Sequence, residues 1–186
     1  MSNLKKEYCI EELAGKVKDP LLSDNYHLLI TGIPPEVGGT DVGKTLSLYC
    51  QQVNKPGQTI EAVVVALHGH ELQFAGRNTT THDLSVTFVE TWDAEITTIL
   101  EKWARFTRSL NCQTGNLKMD DSKGYGKAMA TLHVLQPSGE STKEYEIHNI
   151  WPTQVPEIPF QGDSSAIVPL QCTFKYDYYK EADGTT

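Results

Sequence analysis

The chain has 186 residues, 39% of them hydrophobic, and this length suits one well-buried domain because two halves would each have a thin core. Its formal net charge of −8 disfavours the binding of nucleic acid over a broad surface. The sequence contains no run of about 18 apolar residues, so it predicts no membrane span. Its start lacks the apolar stretch of a secretory signal. We therefore expect a protein that is kept in a cytoplasm until something larger carries it out.

The start of the chain predicts an arm followed by a first strand. Residues 1–24 mix charges without a sustained period, so we expect an N-terminal arm that is flexible or forms a weak helix. Residues 25–186 then form the single domain. Its first strand is predicted over Tyr26–Thr31, and the pair Pro34-Pro35 follows its end.

The next stretch matches a phosphate-binding loop. Gly38-Gly39-Thr40-Asp41-Val42-Gly43-Lys44-Thr45 fits the pattern G-x-x-x-x-G-K-T at every specified position. Such a loop needs a helix that begins at its lysine, so that amides at the helix N-terminus meet the phosphates. Leu46, Leu48 and Cys50 instead alternate with polar residues, which predicts a strand over Thr45–Gln51. We therefore favour a flexible, glycine-rich surface loop. The alternative function is a P-loop nucleotide-binding enzyme that uses Gly38, Gly43, Lys44 and Thr45.

A long hairpin is the following element. Thr59–Ala66 is rich in β-branched residues, Glu71–Phe74 alternates, and His68-Gly69-His70 between them predicts the tip. Arms of this length expose apolar side chains and unpaired strand edges, so the hairpin needs a partner. His68 and His70 could ligate a metal with a third residue, but no third ligand is suggested nearby, and an exposed tip is favoured.

The pattern then changes from strand to helix. Residues 82–90 alternate and predict a strand. Apolar residues at spacings of three and four predict a helix over Trp92–Ser109, with Thr91 as its N-cap. Its apolar stripe comprises Ile96, Ile99, Leu100, Trp103 and Phe106. Residues 109–125 have loop composition.

Three further strands are predicted in the last third. Residues 127–135 and 142–150 are joined by a turn, and a final strand runs over residues 165–178. Its apolar and aromatic face comprises Leu170, Cys172, Phe174, Tyr176 and Tyr178. Proline restricts the residue before it to extended geometry, so Trp151-Pro152 is expected to end a strand and plug the core. The sum of these elements predicts a mainly β fold: an antiparallel β-barrel or sandwich with one flanking α-helix and a projecting β-hairpin.

Side chains that often carry chemistry are scattered. The cysteines lie far apart without the C-x-x-C spacing of zinc or redox sites, so reduced, mostly buried thiols are expected at Cys9, Cys50, Cys112 and Cys172. No histidine has a serine, cysteine or carboxylate partner that spacing singles out as a nucleophile and base pair. The sequence therefore predicts neither an enzyme nor a cofactor or metal site.

The last third also resembles a known family. Ile147–Val155, the polar turn Gly162–Ser165 and a strand closing on Phe174–Tyr179 resemble the C-terminal signature of tail tube proteins of contractile-tailed, T-even-type bacteriophages. Upstream, the order of hairpin, strand and helix is similar to that of the family, and the resemblance covers about residues 25–179. The signature residues are Ile150, Trp151, Pro152, Thr153, Phe174, Tyr176 and Tyr178.

The resemblance implies a structural subunit. Six copies would close into a ring, and rings would stack into a hollow conduit for DNA ejection inside a contractile sheath. The implied partners are further copies of the chain and the sheath, baseplate and tail-terminator proteins, while viral DNA passes through without specific binding. The implied location is the virion tail, after assembly in the host bacterial cytoplasm. A baseplate tube initiator, or a tube subunit of a related contractile injection system, is the alternative within the same fold.

The resemblance also implies a role for the hairpin, which would lie against a neighbouring subunit and help to line the channel. The residues expected at this inter-subunit contact are Thr59, Val63, Val65, His68, His70, Leu72 and Phe74. A negatively charged wall would let DNA slide without sticking. The acids considered for the lumen are Glu61, Glu71, Asp83 and Glu90.

Overall fold

A computed structural model describes residues 20–108, 127–158 and 167–183. These residues form β1 (Tyr26–Thr31), α1 (Gly39–Leu48), β2 (Cys50–Val53), β3 (Thr59–Leu67), β4 (His70–Thr79), β5 (Asp83–Val89), α2 (Glu95–Thr107), β6 (Ala128–Leu135), β7 (Ser141–Gln154), β8 (Pro169–Lys175) and β9 (Tyr178–Asp183). Every strand pair is antiparallel, which confirms the predicted mainly β fold. Most of the predicted N-terminal arm and the predicted 109–125 loop lie outside the described residues. No described helix has the length and apolar character needed to cross a membrane.

One long strand joins the two layers of the fold. The strand order is β1-β6-β7-β8-β5-β2, and β9 pairs with β7 as well. Within β7, residues Lys143–His148 lie between β6 and β9, whereas Trp151–Gln154 pair with β8. The strand thus passes from one layer to the other, and the layers enclose a common core.

The prediction that Trp151-Pro152 ends a strand and plugs the core is wrong. β7 continues through both residues to Gln154. Pro152 is buried, but Trp151 is only half-buried, and the fully buried indole is that of Trp103. Proline is accommodated because β7 changes its partner here, with a shift of register between Pro152 and Gln154.

Helix α1 stands where sequence alternation predicted a strand over residues 45–51. Leu46 is fully buried, but Leu48 is 77% exposed, so the alternation does not mark a buried face. The buried positions of α1 are Gly43 and Leu46. Gly43 has no side chain that counts as hydrophobic, so the sequence does not show the spacing of three to four residues that is typical of a helix. The structure therefore has a second helix beside the one expected.

The segment before α1 is packed, which corrects the prediction of a flexible surface loop. Ile33, Pro34 and Val37 are buried, and the Val37 amide donates a hydrogen bond to the Pro34 carbonyl at 3.0 Å. Gly38 and Gly39 follow with φ values of +135° and +63°, which side-chain-bearing residues rarely adopt. This turn seats α1 against β1.

Helix α2 buries the apolar stripe predicted for it. Ile96, Leu100 and Trp103 are completely buried. The Trp103 ring lies 5.6 Å from that of Phe174 on β8, and Phe88 on β5 meets Phe174 edge-on at 6.4 Å. The helix therefore packs its tryptophan on an aromatic pair in the layer formed by β5 and β8.

The predicted last strand is two strands with a bend at Asp177. β8 ends at Lys175 and β9 begins at Tyr178. The predicted apolar face is confirmed before the bend, since Leu170, Cys172, Phe174 and Tyr176 are buried. Tyr178, after the bend, is 47% exposed.

Candidate assembly surfaces

The β3–β4 hairpin forms a two-stranded sheet of its own. Its strands pair from Thr59 with Thr79 to Leu67 with His70, and they contain nine and ten residues. Every residue of β3 is exposed, and no residue from 59 to 81 belongs to the buried core. Since an isolated two-stranded hairpin is marginally stable in water, this one needs a surface to pack on.

Cross-strand pairing places five of the seven predicted contact residues on one face of the hairpin. Val63 lies opposite Phe74, and Val65 lies opposite Leu72. Leu67 extends this face and lies opposite His70. We call these six residues the apolar face. Its aliphatic and aromatic side chains are exposed by 50% (Val63), 37% (Val65), 50% (Leu67), 46% (Leu72) and 54% (Phe74). The other two predicted contact residues lie apart, Thr59 at the base and His68 in the turn.

The histidines sit at the tip. His68 and Gly69 form the turn with φ values of +49° and +79°, the left-handed geometry of tight hairpins. Nowhere in the described ranges do three or more His, Cys, Asp or Glu side chains come together in a group that could hold a metal ion. The geometry therefore fits an exposed turn.

In the Gly38–Thr45 stretch, Gly38 is the N-cap and the other residues form the first part of helix α1, and this geometry does not form a phosphate cradle. Gly43 lies inside α1 and faces β1, where a Cβ atom would stand 2.2 Å from the Ile30 carbonyl oxygen. The Lys44 Nζ atom is exposed and lies 3.5 Å from the Asp41 carboxylate, one turn earlier. A phosphate loop needs its glycine and lysine at the helix N-terminus, on a parallel sheet. Here the match to the motif reflects the packing of α1 on β1.

Glu90 caps helix α2. Its carboxylate accepts hydrogen bonds from the backbone amides of Thr91 at 2.9 Å and of Ile96 and Thr97 at 3.1 Å, and also from the Thr97 hydroxyl. The helix begins at Glu95, later than the predicted Trp92, and its N-cap residue is Ala94 and not the predicted Thr91. The Thr91 hydroxyl accepts a hydrogen bond from the Glu95 amide at 3.1 Å. The sequence pattern did not predict Glu90 as a cap, because it precedes the helix by five residues, beyond the usual capping positions.

The four acids considered for the lumen divide into two pairs. Glu90 holds the helix N-terminus, and Asp83 forms an ion pair with Lys175 at 2.6 Å. Glu61 and Glu71 lie exposed on the hairpin, and no ion pair within the described part of the chain involves either. Two of the acids therefore serve the fold, and two remain available for another surface.

The signature residues gather where β7 changes layers. Pro152 lies opposite Phe174, and the Thr153 hydroxyl donates to the Thr173 carbonyl at 2.8 Å. Ile150 and Tyr176 are buried beside them, and burial raises the pKa of Tyr176. Tyr178 stacks on His148 with ring centroids 4.6 Å apart.

Asp177 fastens the bend between β8 and β9. Its carboxylate accepts hydrogen bonds from Lys127 and Asn149, both at 2.8 Å. Burial acts to raise the pKa of this carboxyl, but the hydrogen bonds from Lys127 and Asn149 outweigh it and hold the pKa below its ordinary value.

The two described thiols are free and resist ionisation. Burial raises the pKa of Cys172 to about 12 and that of Cys50 to about 11. Cys9 and Cys112 lie outside the described residues. A thiol that stays protonated at neutral pH is a poor nucleophile, so neither described cysteine suits covalent catalysis.

Comparison with known families matches residues 26–182 to the phage tail tube protein family. The chain belongs to this family. Membership confirms the resemblance seen in the last third of the sequence and identifies a structural subunit of a tail tube. No curated protein sequence matches the chain.

Solved structures share this tail tube fold. The tube-terminating cap of the anti-feeding prophage has a TM-score of 0.62 at 10% identity, covering 90% of this chain and 93% of the cap. The sheath/tube terminator of the PVC extracellular contractile injection system scores 0.61 at 12% identity, with 89% and 99% covered. The sheath–tube complex of the same system scores 0.58 at 14% identity, with 94% and 98% covered. At these identities the likeness concerns the fold.

Proposed function

We propose that six copies of this chain close into a ring, that the rings stack into a hollow tube inside a contractile sheath, and that the tube conducts DNA during ejection. The hairpin is the observation that carries the proposal. The chain has a buried core, but the nineteen residues of strands β3 and β4 contribute nothing to it. A closed ring provides each hairpin with a neighbour and hides strand edges that a monomer exposes.

Charge supports the role of conduit. Six copies at −8 each would carry a formal charge of −48 per ring. Where part of this charge faces the lumen, it repels the phosphates of the DNA backbone, so the cargo slides without specific binding. The proposed role is mechanical, and it assigns no catalytic residue.

The proposed partners are other copies of the chain and the sheath, baseplate and tail-terminator proteins. Two of the structures with the same fold are a sheath–tube complex and a sheath/tube terminator, which makes partners of these kinds reasonable here. The proposed location is the virion tail, with assembly in the host bacterial cytoplasm. Counting copies per virion separates a main tube subunit, present in many rings, from a baseplate initiator, present in one.

Truncation of the hairpin tests the proposal. Replacing residues 62–75 by two glycines should leave a folded monomer, since none of these side chains lies in the core. Sedimentation velocity would measure assembly, and circular dichroism with thermal melting would verify folding. The full chain should sediment as rings or larger species. If the truncated chain assembles like the full chain, the hairpin is not needed for assembly and the proposed contact is contradicted.

A further inference from the structure

The β3–β4 hairpin is joined to the rest of the domain, here called the body, by two short connectors. Residues 54–58 lead from β2 into β3, and residues 80–82 lead from β4 into β5. At the base of the hairpin the Thr79 hydroxyl donates a hydrogen bond to the Thr59 carbonyl at 3.2 Å. This bond joins the two strands to each other, so the direction of the hairpin relative to the body depends on the connectors.

His82 gives the second connector a conformation that few residues adopt. Its φ is +54°, in the left-handed region that is uncommon for a residue with a side chain. Such a conformation persists where the surrounding structure holds it, and it often marks a functional constraint. His82 directly precedes β5, so it stands where the chain passes from the hairpin sheet into the body.

Both ring nitrogens of His82 have a bonding partner. The Nδ1 atom lies 3.1 Å from the Tyr176 carbonyl oxygen, which can only accept, so Nδ1 carries a proton and donates the hydrogen bond. The Nε2 atom lies 3.0 Å from the Thr80 hydroxyl oxygen. The His82 carbonyl accepts a hydrogen bond from the Tyr176 amide at 3.1 Å, and the two rings lie 5.5 Å apart. We call the two hydrogen bonds between His82 and Tyr176 the latch.

The residue before Tyr176 holds the same connector. The Lys175 ammonium donates a hydrogen bond to the Thr81 carbonyl at 3.2 Å and forms an ion pair with Asp83 at 2.6 Å. Lys175 is the last residue of β8, and Tyr176, which follows it, is buried. The second connector is therefore bonded to a packed part of the body through two consecutive residues.

The first connector leaves the hairpin more space to turn. The Lys55 ammonium lies 5.1 Å from the centre of the Tyr145 ring, and Pro56 is buried. Residues 57 and 58 are exposed, and a Cβ atom at Gly57 would meet nothing within 4 Å. The direction of the hairpin thus depends chiefly on the connector that contains His82.

We propose that His82 is a positioning residue, which fixes the direction of the hairpin through the latch before any partner binds. The inference concerns the free chain, and its consequence for assembly rests on the proposed function. A hairpin that already points in the direction used in the ring loses less conformational entropy when the ring forms. The latch thereby prepares the chain for assembly.

Single-molecule fluorescence energy transfer tests the latch on single copies of the chain. Donor and acceptor dyes are attached at Glu71 on the hairpin and Lys102 on α2, which are both exposed, through introduced ketone side chains that leave the native cysteines unmodified. The unsubstituted chain should give one narrow distribution of transfer efficiency. His82→Gly should broaden the distribution and shift its mean, because glycine adopts the left-handed conformation readily but has no ring. An unchanged distribution would overturn the proposal.

Two further variants separate the loss of the ring from the gain of backbone freedom. Thr81→Gly adds the same freedom one residue earlier and removes a side chain that takes no part in the latch, so its distribution should stay narrow. His82→Asn keeps the left-handed conformation accessible and retains a side-chain amide donor, so it should restore most of the narrow distribution. Equal broadening by Thr81→Gly and His82→Gly would assign the effect to backbone freedom and contradict the latch.

Assembly gives the functional measurement. If the hairpin of the His82→Gly chain points in the required direction in about one molecule in ten, the concentration needed for assembly should rise about tenfold. Sedimentation velocity measures this concentration, with Thr81→Gly as the control. A broadened hairpin with unchanged assembly would contradict the positioning role. Failure of the unsubstituted chain to form rings is a different result: it would contradict the proposed function, while the latch is decided by the measurement on single copies.

Discussion

Gly43 of helix α1 lies directly against the backbone of Ile30 in β1, where a Cβ atom would stand 2.2 Å from the Ile30 carbonyl oxygen. This contact explains why a glycine stands in the middle of a helix, a position that costs about 1 kcal/mol relative to alanine when nothing is gained. It also explains the motif that resembles a phosphate loop. The glycine serves close packing of helix on strand, and the lysine after it points to solvent.

Gly43→Ala should destabilise the protein by about 1–3 kcal/mol despite the better helix propensity of alanine, because the methyl group collides with rigid backbone. Gly57→Ala is the matched control, since nothing lies within 4 Å of a Cβ atom there and its φ is not positive. The control should stay within about 0.5 kcal/mol of the unsubstituted chain. Urea titration measures both, and equal stabilities would contradict the packing role of Gly43.

The chain should not bind nucleotides through Lys44. Its ammonium is exposed beside Asp41, and the lysine stands in the second turn of α1, whereas the lysine of a phosphate loop stands at the helix N-terminus. Titration calorimetry with Mg-ATP or Mg-GTP should give no saturable heat, and Lys44→Ala should give the same trace. Micromolar binding that disappears on this substitution would restore the enzyme hypothesis.

Glu90→Ala should destabilise the protein by about 1–2 kcal/mol, because it leaves the amides of Ile96 and Thr97 without their acceptor at the N-terminus of α2. The exposed Glu95, in the first turn of the same helix, provides the control. Glu95→Ala removes a similar charge and should cost less than about 0.5 kcal/mol. Thermal melting distinguishes the two, and an equal loss would assign the effect to charge alone.

Asp177→Asn should lower stability at neutral pH and matter less in acid. The pKa of Asp177 is held below its ordinary value by Lys127 and Asn149, so its carboxylate stabilises the fold above the unfolded-state pKa and loses that effect as pH falls through the folded value. Because the side chain is 44% exposed, solvent screening limits the difference to about 1 kcal/mol at pH 7. The difference should shrink below about pH 4. Urea titrations at pH 7, 5 and 3 measure it, and a difference that grows in acid would contradict this role.

Periodic side-chain patterns predicted the elements whose faces bury against the core. Apolar residues recur at spacings of three and four in helix α2 and at every second position from Leu170 to Phe174, which predicted both elements. The recurrence exists because one face of each element packs against the core. The hairpin was predicted from β-branched composition and its turn. The register shift at its base could not be predicted, because it depends on the close approach of Gly76 to the Glu61 backbone on the opposite strand.

Elements that depend on tertiary contacts escaped prediction. Helix α1 was missed because close approach to Ile30 demands a glycine where the pattern would show a hydrophobic residue. The passage of β7 through Trp151 and Pro152 depends on which strand lies beside it, and local sequence does not carry that information. The cap by Glu90 likewise depends on the path of the chain between residues 90 and 97.

Negative-stain electron microscopy of the purified chain tests the central claim most directly, since it registers assembly without any assumption about individual residues. The account predicts six-fold rings, or hollow tubes of uniform diameter, at concentrations where sedimentation shows association. A strictly monomeric protein across protein concentration, salt and pH would contradict it.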